Sequence, residues 1–169
     1  MTSWHNWAGL ISASPTEVRT PRDTDDVVAA VERARERRTT VKMPGTGHSF
    51  TGIAAPEGIM LSPGQLSGIV AVDREQMTAT ALAGTPLRVL NASLETLGLS
   101  LHNMGDIAEQ TLAGATSTGT HGTGGLVGSL SAQIAGLELV TGTGEVVQAS
   151  PTEHPEVFAA ARVGLGALG

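Results

Sequence analysis

Glycine placement constrains this chain more than any other feature of its 169 residues. Glycine loses more backbone freedom on folding than any other residue, so it accumulates where a chain turns sharply or where something approaches its backbone closely. Many of the 22 glycines fall in two short segments. The first is Pro44-Gly45-Thr46-Gly47-His48-Ser49, and the second runs from Gly114-Ala115-Thr116-Ser117-Thr118 through Gly119-Thr120-His121-Gly122-Thr123-Gly124-Gly125. Both lie between stretches with clear periodicity, so each reads as a loop carried by regular elements.

Those elements follow from local chemistry. After Pro21, the Asp23-Thr24-Asp25-Asp26 run offers a helix cap and an acidic first turn, and Val27, Val31 and Ala34 recur at helical spacing. Arg33, Arg35, Arg37 and Arg38 crowd the far end, where the helix dipole favours cations. A short strand at 39–43 then leads straight into the first glycine segment. Further strands are predicted at 58–61, 68–72 and 77–83, the last two joined by a turn at 73–76. Thr85 as cap and Pro86 at the first helical position predict a helix whose stripe is Leu87, Leu90, Leu94 and Leu97, stopped by Gly98. A short helix is expected within 110–117, a loop over 118–128, and a hairpin pairing 130–140 with 145–149 across Thr141-Gly142-Thr143-Gly144. A terminal helix follows at 155–162. This order predicts an α+β fold in two subdomains, 1–64 and 65–169: a small N-terminal βαβ unit and a larger mixed or antiparallel sheet with helices. Residues 163–169 are apolar and uncharged and look cut rather than finished.

Composition narrows the partners. Ten Lys and Arg against sixteen Asp and Glu leave a net charge of −6, the wrong sign for phosphate backbones or anionic lipid. Trp4, Trp7, Phe50 and Phe158 are the aromatic residues, too few for base-stacking platforms. Neither nucleic acid nor a membrane span is expected. With no cysteine, thiol nucleophiles, iron–sulfur clusters and zinc–cysteine sites are excluded, so redox chemistry needs a borrowed cofactor. His5, His102 and His154 lack metal-ligand spacing, and no metal site is expected. The opening residues lack the basic and apolar regions of a signal peptide, which gives a soluble, cytoplasmic protein as the expectation.

Consecutive backbone N–H groups around Gly45 and Gly47 can converge on one anion, with the Thr46 and Ser49 hydroxyls as further donors. Pyrophosphate is a natural guest. No Lys-Ser or Lys-Thr follows Gly47, which excludes a P-loop, and no third glycine stands at dinucleotide-fold spacing. By spacing alone the segment reads equally as a structural turn. In the second segment small residues and threonine hydroxyls alternate, a surface able to lie against a planar heterocycle or a phosphate chain. A flexible surface loop is the alternative there. Two such loops in one domain suggest a long cofactor.

Pro44-Gly45-Thr46-Gly47-His48-Ser49-Phe50, Asn103-Met104-Gly105-Asp106-Ile107 and the run from Gln110 through Gly124 resemble the PCMH-type FAD-binding domain of the vanillyl-alcohol oxidase superfamily. Within it, the sequence is most similar to sugar-1,4-lactone oxidases, those acting on L-gulonolactone and D-arabinonolactone, and to alditol oxidases. Trp4-His5-Asn6-Trp7-Ala8-Gly9 resembles the opening of those proteins, and the stretch from Ala161 to Gly169 resembles the close of their second FAD subdomain. The resemblance implies an FAD-dependent oxidoreductase acting on a CH–OH group, with oxygen or another acceptor reoxidising the flavin. It also implies that His48 carries FAD covalently through the 8α-methyl group. By the same resemblance Gly45, Thr46, Gly47, His48 and Ser49 lie on the pyrophosphate. Asp106, Thr111, Gly114, Ala115, Thr118 and Gly122 then lie along the flavin and ribityl-diphosphate, and His121 joins the site or orders its loop. The catalytic residues, together with the sugar lactone or polyol they act on, are expected in a cap domain absent from this chain. Three alternatives stay open: a non-catalytic flavin-binding module, one subunit of a split enzyme whose cap is a separate chain, and a fold relative without FAD.

Overall fold

A computed structural model describes residues 2–169. The chain opens with two short antiparallel strands, β1 (Trp4–His5) and β2 (Ser12–Ala13), followed by β3 (Glu17–Arg19). The amphipathic helix α1 (Thr24–Arg37) leads to β4 (Val41–Lys42), and β5 (Ile59–Leu61) lies between β3 and β4, parallel to both. This is the expected βαβ unit. The strand expected at 39–43 is shorter, and it delivers the first glycine loop directly from its end.

Helix α1 forms for the reasons its sequence announces. The Asp23 carboxylate accepts from the Asp26 N–H at 2.9 Å, Asp25 and Asp26 occupy the positive end of the dipole, and Arg35 and Arg37 occupy the negative end. Its Ala30 and Ala34 pack on Ile59 and Leu61, with Val27, Val41 and Met43 around them. Alanine on this face lets the helix sit close to the sheet, and each buried Ile or Leu contributes about 1.5–3 kcal/mol.

The second half is antiparallel. β6 (Ile69–Asp73) pairs with β7 (Thr78–Ala81), α2 (Leu87–Thr96) and α3 (Leu112–Ser117) follow, and β8 (Leu137–Val140) pairs with β9 (Val146–Ala149) before α4 (Pro155–Ala161). Leu87, Leu90 and Leu94 of α2 bury against Ala115 and Leu130, the centre of a second core. The α+β class holds.

Two local expectations are corrected. Pro86, not Thr85, takes the capping position of α2, because Thr85 is fully buried and its hydroxyl is engaged elsewhere: it donates to the Leu82 carbonyl at 2.6 Å and accepts from the Gly68 N–H at 2.9 Å. Residues 130–136 do not extend the hairpin. Ser129 caps a 3-10 turn over Leu130–Gln133 that drives Leu130 into the second core, so the strand begins at Leu137.

One charged cluster ties β3 to α1. Arg19, Arg33 and Arg37 all reach the Glu17 carboxylate, at 2.7, 2.9 and 2.6 Å. Hydrogen bonds from Arg19 and then Arg33 hold its pKa down to about 2, from an ordinary 4.5. A depressed carboxylate stabilises the fold fully above its unfolded value, and that contribution fades as pH falls through the folded value. Urea midpoints of the wild type should therefore drop between about pH 5 and pH 2. In Glu17→Gln that acid limb should be shallower; superimposable limbs would show that the cluster carries no pH-linked stability.

Candidate functional site

The two glycine segments, 65 or more residues apart in sequence, meet at one point. A Cβ built on Gly45 would stand 2.6 Å from the Thr111 Oγ1, and one built on Gly114 would stand 2.8 Å from the same atom and 4.0 Å from the Gly45 Cα. No residue larger than glycine fits this contact without a shift. Thr111 is buried and cannot easily give way, because its Oγ1 caps α3 by accepting from the Gly114 N–H at 3.2 Å.

The start of α3 is fastened to the segment before α2. Leu112 N–H donates to the Thr85 carbonyl, Ala113 N–H to the Ala83 carbonyl and Leu87 N–H to the Gln110 carbonyl, at 2.8, 3.0 and 2.9 Å. With Ala115 N–H bonded to the Thr111 carbonyl, all four N–H groups from Leu112 to Ala115 are engaged within the chain. Ala115 is fully buried in the second core. The first turn of α3 is thus a platform and not an anion socket.

The donors lie in the loops instead. Among the described residues, none of the backbone N–H groups of Gly45, Thr46, Gly47, His48 and Ser49 donates within the chain, and the same is true of His121, Gly122, Thr123, Gly124 and Gly125. Unpaired backbone donors in two glycine loops are the donor set that a pyrophosphate and the carbonyls of a flavin require, and they supply it without lysine or arginine. The residues present fit FAD. Two hollows of the molecule, one lined by Thr2 and residues 14–18 and the other by residues 19–22 with Asp26, do not include the glycine loops.

The remaining site residues separate into those held in place and those left outward. His48 is half-buried, with its Nδ1 3.0 Å from the Thr46 hydroxyl. Thr118 turns its hydroxyl back onto the Gly114 carbonyl at 2.9 Å. Gly122 lies against the Asn103 side chain and the Met104 carbonyl, while Gly105 lies against Thr120, so the 103–105 segment and the second loop support each other. His121 is exposed, its Nδ1 2.8 Å from the Gly122 carbonyl. Asp106 is exposed and points at no protein partner among the described residues. No group of three or more potential metal ligands occurs among the described residues, and no helix there is long and apolar enough to cross a membrane.

The opening hairpin supplies residues that spacing does not single out. Asn6 is 4% exposed, its Oδ1 accepting from Leu10 and Ile11 N–H at 2.9 and 3.0 Å and its Nδ2 donating to the Ser49 carbonyl at 2.9 Å. Trp7 N–H donates to the Gly47 carbonyl at 2.8 Å, and its indole stacks on the His48 imidazole, centroids 5.4 Å apart and planes 16° from parallel. Gly47 adopts φ +75°, and the Trp4 ring and the Asn6 backbone stand 3.4 Å from where its Cβ would be. The local signal was the Asn6-Trp7-Ala8-Gly9 tetrapeptide, an asparagine-initiated turn closed by a left-handed glycine at φ +69°.

Comparison with known proteins agrees with this geometry. The chain is 39% identical over 168 residues to a D-arabinono-1,4-lactone oxidase of Eremothecium gossypii, covering 97% of this chain and 32% of that protein. It is 39% identical over 166 residues to an L-gulono-1,4-lactone dehydrogenase of Mycobacterium tuberculosis, and 37% over 166 to an L-gulonolactone oxidase of Scyliorhinus torazame, in each case 98% of this chain and 38% of the relative. The chain therefore spans about a third of the length of the curated relatives it matches. Residues 15–150, which hold both glycine loops and the platform between them, match the family described as FAD binding domain, and the chain belongs to that family.

Proposed function

We propose that this chain is the cofactor-binding part of an FAD-dependent oxidoreductase that oxidises a hydroxyl of a sugar-1,4-lactone. The observation that carries the reading is the junction of Gly45, Thr111 and Gly114, which seats the His48 loop, with its unengaged N–H groups, on the start of α3. Held there, FAD would supply a hydride acceptor for the substrate C–H and a route for two electrons to oxygen or another acceptor. The N–H groups of residues 45–49 would hydrogen-bond the pyrophosphate, and those of residues 121–125, with the Thr118 and Asp106 side chains, would hold the flavin and ribityl chain. Thr111 and Gly114 form the platform on which the first loop sits, and the second loop leaves the far end of α3. The relatives named above act on lactones, which favours a lactone over an alditol as substrate. The residues that hold the lactone and accept its hydroxyl proton are assigned to a region outside this chain.

His48 is the proposed point of covalent attachment. The bond replaces one imidazole N–H and one 8α C–H with one N–C bond, and the two electrons and two protons released pass to dioxygen, giving hydrogen peroxide.

Intact mass and visible spectrum of the acid-denatured full-length protein test this reading. The expected result is a mass increment of one FAD less two hydrogens with flavin absorbance retained, and anaerobic bleaching of the native protein by L-gulono-1,4-lactone but not by an alditol. His48→Ala should still bind FAD and release all of it on denaturation. Yellow colour that survives denaturation in that variant would remove the role given to His48. A colourless wild type that also fails to take up added FAD would remove the cofactor itself.

A further inference from the structure

We infer that the opening hairpin is a positioning device for His48: Asn6 and Trp7 fix the loop backbone on both sides of it and set the plane of its ring. This rests on the covalent attachment proposed above and concerns how the attachment is brought about.

Three contacts bracket one residue. Trp7 N–H holds the Gly47 carbonyl before His48, and Asn6 Nδ2 holds the Ser49 carbonyl after it, so the backbone of His48 is suspended between two bonds to adjacent residues. The Trp7 indole then lies nearly parallel to the imidazole, and Phe50 meets the indole edge-on at 6.5 Å and 84°. The Thr46 hydroxyl stands at Nδ1 on the rim of the imidazole, outside the stack. Side-chain rotation about His48 χ2 is otherwise broad, and one stacked face removes most of that freedom. Bond formation demands a ring nitrogen aligned with the carbon it attacks, and misalignment of about 1 Å reduces such rates about a hundredfold.

The burial pattern supports the same role. Trp7 is 67% exposed, so its ring adds little to the core, and an exposed tryptophan held by a specific stack is better explained by what it orients than by what it buries. Asn6, in contrast, is an anchor whose bonds all lie within the hairpin and the His48 loop.

The test compares Trp7→Leu, Trp7→Phe and His48→Ala with wild type in the full-length protein. Two quantities are read: total bound flavin, and the fraction that stays with the acid-precipitated chain. With protein produced without riboflavin and then mixed with FAD, the rate of acid-stable incorporation is also followed. Trp7→Leu should keep total FAD binding near wild type while slowing acid-stable incorporation about tenfold or more, and Trp7→Phe should recover most of that rate. Incorporation at the wild-type rate in Trp7→Leu overturns the inference. So does a parallel loss of total and acid-stable flavin, which is what a merely structural residue produces, and so does a Trp7→Phe rate as slow as that of Trp7→Leu. Failure of the underlying reading looks different: the wild type itself then holds no acid-stable flavin, or His48→Ala retains it.

Discussion

Gly45→Ala is expected to cost about 2–3 kcal/mol of stability and most of the bound flavin, although it adds a single methyl group to a loop. The new Cβ would stand 2.6 Å from the Thr111 Oγ1, where ordinary contact begins near 3.4 Å. Either the loop moves off the platform or Thr111 rotates, and rotation removes the acceptor for the Gly114 N–H. Losing such a cap costs about 1 kcal/mol, and the strain of partial overlap adds about 1–2 kcal/mol. In a chain of this size 1 kcal/mol corresponds to about 2–4 °C, so the melting temperature should fall by about 4–12 °C. A double-mutant cycle isolates the cause. Thr111→Ala alone should cost about 1 kcal/mol, and Gly45→Ala placed on that background should cost little more, because the atom it strikes is gone. Strict additivity of the two costs would mean that the loops do not meet through this atom. Flavin content should follow the same pattern, recovering in part in the double variant as the first loop returns to its seat.

How much of this was legible beforehand depended on whether the determining interactions were local. Helix α1, its cap within the Asp23-Thr24-Asp25-Asp26 run and its arginine-rich end are set within one stretch of chain, and the sequence predicts all three. The β6–β7 hairpin and the short helix before Thr118 are similarly self-announcing. Thr85 followed by Pro86 satisfies every local rule for a helix cap, yet the hydroxyl bonds Gly68 and Leu82, because a buried hydroxyl must find partners wherever the tertiary fold offers them. Leu130 has the side chain of a strand residue, but in the fold it completes the core that includes Ala115 and Leu94, and a tight turn puts it there. The first glycine segment was legible as a loop, and the second as the end of a short helix running into a loop. That Gly45 and Gly114 share one atom of Thr111 is a fact about chain crossing, which no spacing encodes. The role of Asn6 lay furthest from view: its two turn bonds are local, while the bond that matters to the site reaches 43 residues along the chain.

That long-range bond makes Asn6 the second position where a small change should have a large effect. Asn6→Ala removes three hydrogen bonds at once, to Leu10, Ile11 and Ser49, from a residue almost closed to water. Each contributes about 1 kcal/mol net, and water reaches the freed groups only if the hairpin loosens, so a loss of about 3 kcal/mol is expected. The fall in melting temperature should be about 6–12 °C. Asn6→Asp separates the two halves of the role. Its carboxylate still accepts from Leu10 and Ile11 N–H, keeping the turn, but it has no donor for the Ser49 carbonyl and faces that oxygen with like charge. Amide exchange at Leu10 and Ile11 should therefore stay slow in Asn6→Asp and become fast in Asn6→Ala. Acid-stable flavin should fall in both variants, since both release the Ser49 side of the His48 loop. A melting temperature for Asn6→Ala within about 2 °C of wild type would show that the hairpin merely rests on the loop. Retained acid-stable flavin in Asn6→Asp would show instead that the Trp7–Gly47 bond and the indole stack hold His48 without help from the asparagine.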